Sequence, residues 1–330
     1  MTTPGRQRKG AAALSKVVVA QKTDGQVLQM LQRVAEVEQA QEGNLDDLRQ
    51  KLRGAQAALV GTWMKFNAEL MDISPALKVI SRTGAGVDNV DVKAATRRGI
   101  LVLHTPAVNS VSVAEHAVAL LLAMSKQLAF LDASVRQGNF KTRRLNLPVD
   151  VEGKTLGLIG CGNIGRLVAQ KCRGAFHMRA IGYDPFLKTA PEGLELFPTL
   201  REILTQADYV SLHLPYSPET KNLIDQEQLS MMKPSAFLIN TSRGGMVNEA
   251  ALAQALNAAT IAGAALDVFE QEPPEAGSPL LSCKNLLMTP HAAALTRECV
   301  VRVAVCAAQG IVDHLSGRRP EFVFNQAVLD

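Results

Sequence analysis

"TLGLIGCGNIG", residues 155–165, decides the fold. An apolar run leads into glycines at Gly160, Gly162 and Gly165, and the continuation "IGRLVAQKC" has the spacing of a helix. Strand, glycine turn and helix in this order make the setting a phosphate cradle requires. Gly160 permits the tight turn, Gly162 lets backbone approach a pyrophosphate, and Gly165 lets helix and strand pack closely. The helix N-terminus adds unpaired N–H groups and a partial positive charge. A further strand, "RAIGYD", ends in Asp184 about 20 residues past Gly165, where an acid for a ribose is expected. The stretch therefore predicts a dinucleotide-binding βαβ unit. The Asp184 carboxylate can accept bonds from both ribose hydroxyls and would repel a 2′-phosphate. "DPFLK" offers Lys188 but no arginine, so NAD is expected rather than NADP.

Working outward, a set of short apolar runs begins at Lys154: "TLGLIG", "MRAIGYD", "DYVSLHLP", "AFLINTS", "AGAALDVF" and "NLLMTPH". An earlier set holds "KVVVA" (16–20), "AALVG" (57–61), "LKVISRTG" (77–84) and "GILVLHTP" (99–106). Helical stretches separate the runs. One has apolar residues at Val27, Leu28, Leu31 and Val34; another, "NLDDLRQKLRG", opens on a capping Asn44 and ends at Gly54. Such alternation predicts an α/β fold with parallel sheets covered by helices on both faces. Residues 110–140 read as one or two long helices whose broad apolar face must pack on something, a second subunit being one answer. The last helix, 297–317, is strongly apolar on one side.

A chain of 330 residues suggests two domains, and 47% apolar with 20% charged residues is an ordinary globular balance. The net charge of +4 is spread along the chain, which argues against a nucleic-acid partner. Cys161, Cys172, Cys283, Cys299 and Cys306 form no CxxC pair and no metal-ligand pattern, so reduced cysteines and no metal site are expected. The basic start "MTTPGRQRKGAAAL" lacks the apolar core of a signal peptide and reads as disordered, and "AVALLLAM" after His116 is too short to span a bilayer. A soluble cytoplasmic protein without a membrane partner is the expectation.

In an open parallel sheet, ligands bind beyond the carboxyl ends of the strands. In the second set those ends carry Asp184, His213, Asn240 to Arg243, Asp267 and His291, with Glu272 just past Asp267 in "FEQEPP". Hydride transfer between an alcohol and nicotinamide needs a general acid/base, which a histidine suits. It also needs a cation to hold a carboxylate and polarise a carbonyl, as a guanidinium does through its fork. A carboxylate beside the histidine keeps the ring able to carry a proton. Singly, Arg243 reads as a salt-bridged loop arginine, Glu272 as a solvated acid and His291 as a structural histidine; together, beside a dinucleotide site, they read as a catalytic set. His116 and His314, on helices, read as structural, His177 as turn surface, and Cys299 and Cys306 as core.

At this point the chain resembles the D-isomer-specific 2-hydroxyacid dehydrogenase family. "SRTGAGVDNVD", "NSVSVAEHAVALLLA", "TLGLIGCGNIG", "LHLPYSPETKNLI", "NTSRGGMVNEAAL", "ALDVFEQEPP" and "TPHAA" look like its motifs in its order, from Lys16 to the end. The likeness is to a short phosphoglycerate dehydrogenase-like branch without a C-terminal regulatory domain. It implies two Rossmann-like or flavodoxin-like domains with a cleft between them that closes on substrate. The substrate domain would be discontinuous, 1–108 with 297–330, and the NAD-binding domain would be 109–296. It also implies a homodimer through the helices after Asn109.

The resemblance implies roles residue by residue. Arg243, Glu272 and His291 would be catalytic. Gly84, Ala85 and Gly86, with Arg82 beside them, would bind the carboxylate of a small 2-hydroxy or 2-oxo acid. Gly160, Gly162, Asn163, Ile164 and Gly165 would surround the pyrophosphate, and Asp184 would hold the adenine-side ribose. His213, Pro215, Thr220 and Thr241 would line the cofactor groove, and Asp267 would meet the nicotinamide amide. The same fold also implies an alternative, an NAD(H)-sensing corepressor-like interaction protein, because such proteins keep this catalytic set.

Departures bear on substrate. Glu272 argues against formate dehydrogenases and Ala85 against phosphite dehydrogenases. His104 stands where an asparagine is common. "LVGTWMKF" (59–66) lacks the phosphate-binding arginine expected near Gly61, for which Lys65, Arg82, Arg143 or Arg144 could compensate. This leaves open 3-phosphoglycerate, glycerate or hydroxypyruvate, and small acids with a sulfonate or second carboxylate.

Overall fold

The computed structural model describes residues 15–145 and 147–329, so the expected disorder of the first dozen residues lies outside the described part. The chain forms two compact units. One is the described part of Met1–Asn109 with Arg297–Asp330; the other is Ser110–Thr296.

The first unit contains β1 (Ser15–Val19), α1 (Gly25–Gln32), β2 (Ala35–Gln39), α2 (Leu45–Leu52), β3 (Ala57–Val60), α3 (Ala68–Asp72), β4 (Val79–Arg82), α4 (Val92–Arg97) and β5 (Leu101–Leu103). The strands lie in the order β2-β1-β3-β4-β5, all parallel, which is the flavodoxin-like arrangement. Apart from the edge strand β2, its strands read as continuous apolar runs because helices cover both faces. On one face Val27 and Leu31 of α1 pack with Ala304, Ala307, Ala308 and Ile311 of the C-terminal helix over Val17, Val19 and Leu59. On the other, Leu48 and Leu52 of α2, Met71 of α3 and Ala94 of α4 cover Val18, Ala58 and Ile80. The Asn44 side chain accepts from the Asp47 N–H at 3.1 Å, which starts α2 where expected. Strand β2 was not legible: the helix expected through Val34 ends at Gln32, and Val34 leads into an edge strand carrying Glu36 and Glu38. Edge strands tolerate such charges, so the apolar signal is faint.

The second unit contains α5 (Ser110–Ser125), α6 (Leu128–Arg136), β6 (Thr155–Ile159), α7 (Asn163–Phe176), β7 (Arg179–Tyr183), β8 (Glu195–Leu196), α8 (Leu200–Gln206), β9 (Tyr209–Leu212), α9 (Gln226–Met231), β10 (Phe237–Asn240), α10 (Glu249–Asn257), β11 (Gly263–Leu266) and β12 (Leu286–Met288). The C-terminal helix is α11 (Arg297–Leu315). The seven strands run β12-β11-β10-β9-β6-β7-β8, parallel throughout. From β6 outward this is the doubly wound dinucleotide-binding order with one extra strand. The two-residue β8 was not foreseen; it is too short to carry a periodic signal. Residues 110–140 form two helices that meet at 58°, and no single helix among the described residues is long and apolar enough to cross a membrane. Ala114, Ala117, Leu120 and Leu121 of α5 are buried against β6 and α7, so the inner face of the apolar stretch is covered within the unit.

Each sheet reverses its strand order once: at β1/β3 in the first unit and at β6/β9 in the second. Ligands of open parallel sheets bind outside the carboxyl ends at such points.

Candidate active site

At the β6/β9 reversal the glycine turn is sterically enforced. Gly160 has φ 90°, and a Cβ there would lie 2.4 Å from the His213 carbonyl oxygen. At Gly165 a Cβ would lie 2.4 Å from the Gly160 oxygen, so helix α7 can approach the turn only as glycine. A Cβ at Gly162 meets nothing within 4 Å, which leaves open space over the turn. Gly162 caps α7 without a side-chain bond, so the N–H groups of Asn163, Ile164 and Gly165 face no capping side chain. Asp184 closes the arrangement: Oδ2 accepts from the Cys161 N–H and Oδ1 from the Phe186 N–H, both at 3.0 Å. Its carboxylate thus stands at the glycine turn with acceptor capacity remaining.

Nδ1 of His213 and Oγ1 of Thr241 are buried at the neighbouring strand ends without a hydrogen-bond partner among the described residues. Nε2 of His213 bonds the Ser211 hydroxyl at 2.8 Å. Burial pushes the His213 imidazole down to about 3, so the ring is neutral at physiological pH. Orphaned polar atoms beside an uncapped helix N-terminus fit a ligand rich in acceptors and hydroxyls, as a dinucleotide is. Thr220 is placed differently from its neighbours. Its hydroxyl accepts from the Ser217 N–H at 2.7 Å and donates to the Pro215 carbonyl at 3.1 Å, so it shapes the Pro215–Thr220 turn.

Arg243, Glu272 and His291 follow the adjacent strands β10, β11 and β12. Asn240 organises the first turn: its Oδ1 accepts from the Ser242 N–H and its Nδ2 donates to the Arg243 carbonyl. The Arg243 guanidinium donates to the Ser242 carbonyl at 2.7 Å. Nδ1 of His291 lies 2.7 Å from Oε2 of Glu272, whose Oε1 accepts from the Phe269 N–H at 3.1 Å. A carboxylate only accepts, so Nδ1 carries the hydrogen and Nε2 is left for proton exchange. The Glu272–Pro273 peptide is cis.

His291 has φ 50°, a left-handed conformation unusual for a side-chain-bearing residue. The wholly buried Asp267 holds it there. Its Oδ1 accepts from the Thr289 hydroxyl at 2.6 Å and the Ala292 N–H at 2.8 Å, Oδ2 accepts from the Ala293 N–H at 2.9 Å, and its carbonyl accepts from the His291 N–H at 2.8 Å. Thr289 in turn accepts from Nε2 of His116 at 3.0 Å. Asp267 was expected at the nicotinamide; its organising of the His291 loop was not, nor were the parts of Thr289 and His116. "TPHAA" shows the threonine but not its partner, which lies 22 residues away.

In the first unit Arg82 ends β4 and Gly84–Gly86 follow it. Arg82 donates to the Thr83 carbonyl at 3.1 Å and lies against Gly84, whose absent Cβ would fall 1.4 Å from Nη1. The Gly84 N–H donates to the Arg82 carbonyl, so the N–H groups of Ala85 and Gly86 are the two here without a partner among the described residues. At Gly61 a Cβ would lie 2.2 Å from Oε1 of Gln21, which also accepts from the Thr83 hydroxyl at 3.1 Å. The Arg143 guanidinium lies over the Phe140 ring, 4.9 Å from its centroid. Among the described residues, no group of three or more histidine, cysteine or acidic side chains could hold a metal ion, and all five cysteines are free.

The chain as a whole is similar to known proteins. Residues 118–293 match the NAD binding domain of the D-isomer specific 2-hydroxyacid dehydrogenases. The chain is 38% identical over 313 residues to a D-3-phosphoglycerate dehydrogenase of Methanocaldococcus jannaschii, covering 94% of this chain and 59% of that one. It thus spans about half to three-fifths of the length of the curated phosphoglycerate dehydrogenases it matches. It is 41% identical over 270 residues to a glyoxylate reductase of Korarchaeum cryptofilum, covering 80% of this chain and 81% of that one. Among solved structures, the TT0316 protein of Thermus thermophilus superposes with a TM-score of 0.86 at 37% identity, covering 94% of this chain and 99% of that one. The glycine turn, α7 and Asp184 lie within the residues that match this NAD binding domain, and the chain belongs to the D-isomer specific 2-hydroxyacid dehydrogenase family.

Proposed function

We propose that this chain is an NAD-dependent dehydrogenase that interconverts a small D-2-hydroxy acid and its 2-oxo acid. The observation that carries the reading is the 2.7 Å bond from His291 Nδ1 to Glu272, in a loop fixed by buried Asp267. NAD, when bound, supplies or takes up the hydride. His291 takes the hydroxyl proton on Nε2 during oxidation and returns it to the carbonyl oxygen during reduction. Glu272 accepts from Nδ1–H throughout, which fixes the tautomer and the ring's orientation. Arg243 donates to the substrate carboxylate and carbonyl through its fork.

Ala85 and Gly86 offer N–H groups to a carboxylate, with Arg82 bracing their turn from Gly84. Residues 1–108 and 297–330 serve as the substrate domain and 109–296 as the NAD-binding domain. There Asp184 takes the ribose hydroxyls and prefers NAD over NADP. His213, Pro215, Thr220 and Thr241 border the cofactor, and Asp267 keeps an acceptor position for the nicotinamide amide. Exposed Leu128, Phe130, Val135, Phe140, Leu145 and Leu147 support a homodimer through α6 and the segment after it. Free cysteines support a reducing, cytoplasmic setting.

For the substrate, we favour hydroxypyruvate and D-glycerate, or glyoxylate, over 3-phosphoglycerate. The Gln21 amide occupies the place beside the β1/β3 reversal where a cationic side chain at position 61 would have to begin. Neutral groups there suit a hydroxymethyl or hydrogen substituent better than a phosphate. Initial rates of NADH oxidation against hydroxypyruvate, phosphohydroxypyruvate, glyoxylate, sulfopyruvate, oxaloacetate and pyruvate test this. The expected result is a kcat/KM for hydroxypyruvate or glyoxylate about tenfold or more above phosphohydroxypyruvate. Phosphohydroxypyruvate in first place would overturn the substrate choice, and bound NADH with negligible turnover on every acid would favour the NAD(H)-sensing alternative.

A further inference from the structure

We infer that His104 is a positioning residue for substrate binding: it fixes the direction of the Gly86 N–H that meets the substrate carboxylate. The inference rests on the proposed function and adds a residue to it. His104 follows β5, next to the turn after β4. Its Nδ1 lies 2.8 Å from the Ala85 carbonyl oxygen. A carbonyl only accepts, so Nδ1 carries the hydrogen. The neighbouring backbone makes a matching bond, Thr105 N–H to the Gly84 carbonyl at 2.9 Å.

The consequence follows from peptide geometry. In a planar trans peptide the C=O and the following N–H point in opposite directions. Tying the Gly84 carbonyl to Thr105 turns the Ala85 N–H away from β5. Tying the Ala85 carbonyl to His104 does the same for the Gly86 N–H. Two successive N–H groups, neither with a partner among the described residues, are thereby held on one side of the turn. Such a pair is a concave anion site, and a carboxylate is the anion that the proposed reaction brings. One of its two anchors is backbone and insensitive to sequence; the other is the His104 side chain.

His104 is itself held. Its N–H donates to the Phe322 carbonyl at 3.3 Å, and its ring meets Phe324 edge-on at 5.3 Å between centroids. The Phe324 N–H donates to the Val102 carbonyl, and Leu103 bridges Val323. The segment after α11 therefore fixes the ring that fixes the turn.

Two substitutions separate the donor from the ring. His104→Phe keeps an aromatic ring against Phe324 and removes the donor. His104→Asn removes the ring and keeps an N–H donor the same number of bonds from Cβ. The measurements are KM and kcat for the best 2-oxo acid, the competitive Ki of oxalate, and NADH affinity by fluorescence. The phenylalanine variant should raise KM and the oxalate Ki together by about tenfold or more, with kcat and NADH affinity within about threefold. The asparagine variant should restore both to within about threefold of the parent. An unchanged KM and Ki in His104→Phe, or an asparagine variant as impaired as the phenylalanine one, would overturn the inference. If His104→Phe fails to fold, His104→Ala takes its place with the same expectations. Oxalate binding to the NADH-loaded protein by calorimetry reads the anion site without turnover. A parent protein that binds oxalate but reduces no 2-oxo acid would therefore count against the proposed reaction and not against the role of His104.

Discussion

Replacing His213 by glutamine should change how stability depends on pH, by an amount the structure fixes. Part of the residue remains accessible, yet Nδ1 is fully covered and burial pushes the ring down to about 3 from an ordinary 6.5. In the unfolded chain the ring takes a proton as pH falls through about 6.5, while in the folded chain it stays neutral until far lower. The unfolded state therefore binds more protons across that window, and stability is lost as pH falls from about 6.5 toward 3. At pH 5 the contribution is about 2 kcal/mol, and it hardly changes for any folded value below about 4. His213→Gln keeps a polar group for Ser211 and cannot titrate there. Urea unfolding of both proteins at pH 7 and pH 5 should show the parent losing about 2 kcal/mol more than the variant. Equal losses would mean that His213 is not held neutral by burial, and would remove it as the uncharged, orphaned wall of the cofactor groove.

Four further outcomes follow from the same geometry. Asp184→Ala should weaken NADH binding more than NADPH binding by about tenfold, measured by fluorescence titration; an unchanged ratio would take Asp184 off the ribose. Gly160→Ala should cost about 2 kcal/mol or more in urea unfolding, because its Cβ would lie 2.4 Å from the His213 oxygen. Gly162→Ala, whose Cβ meets nothing within 4 Å, should unfold within about 1 kcal/mol of the parent yet bind NADH about tenfold more weakly. Thr289→Val removes a donor to the buried Asp267 carboxylate and should cost about 2 kcal/mol and lower kcat with little change in NADH affinity; parent-like stability and kcat would mean the His291 loop does not depend on that bond.

What the sequence carried plainly was whatever rests on local order. The turn after β6, its helix and Asp184 lie within 30 residues, and each is readable from spacing and residue type. The buried parallel strands announced themselves as apolar runs because both faces are covered. Two strands escaped for opposite reasons. β2 alternates charge with apolar residues at a sheet edge, and β8 is too brief for any period to register. At the site, residue types and strand ends pointed to Arg243, Glu272 and His291. The groups that position them were hidden because their bonds span sequence. Asp267 reaches Ala293 across 26 residues and Thr289 across 22. His104 was visible only as an unexplained residue until its bond to Ala85 gave it a role.

The most direct test compares NADH oxidation with hydroxypyruvate or glyoxylate by the parent and by His291→Asn, alongside NADH affinity for each. If His291 is the acid/base held by Glu272, the parent turns over and the variant loses about 10²- to 10⁴-fold in kcat, with NADH affinity within about twofold. A variant that keeps its turnover, or that loses NADH binding in proportion to activity, would contradict the central claim.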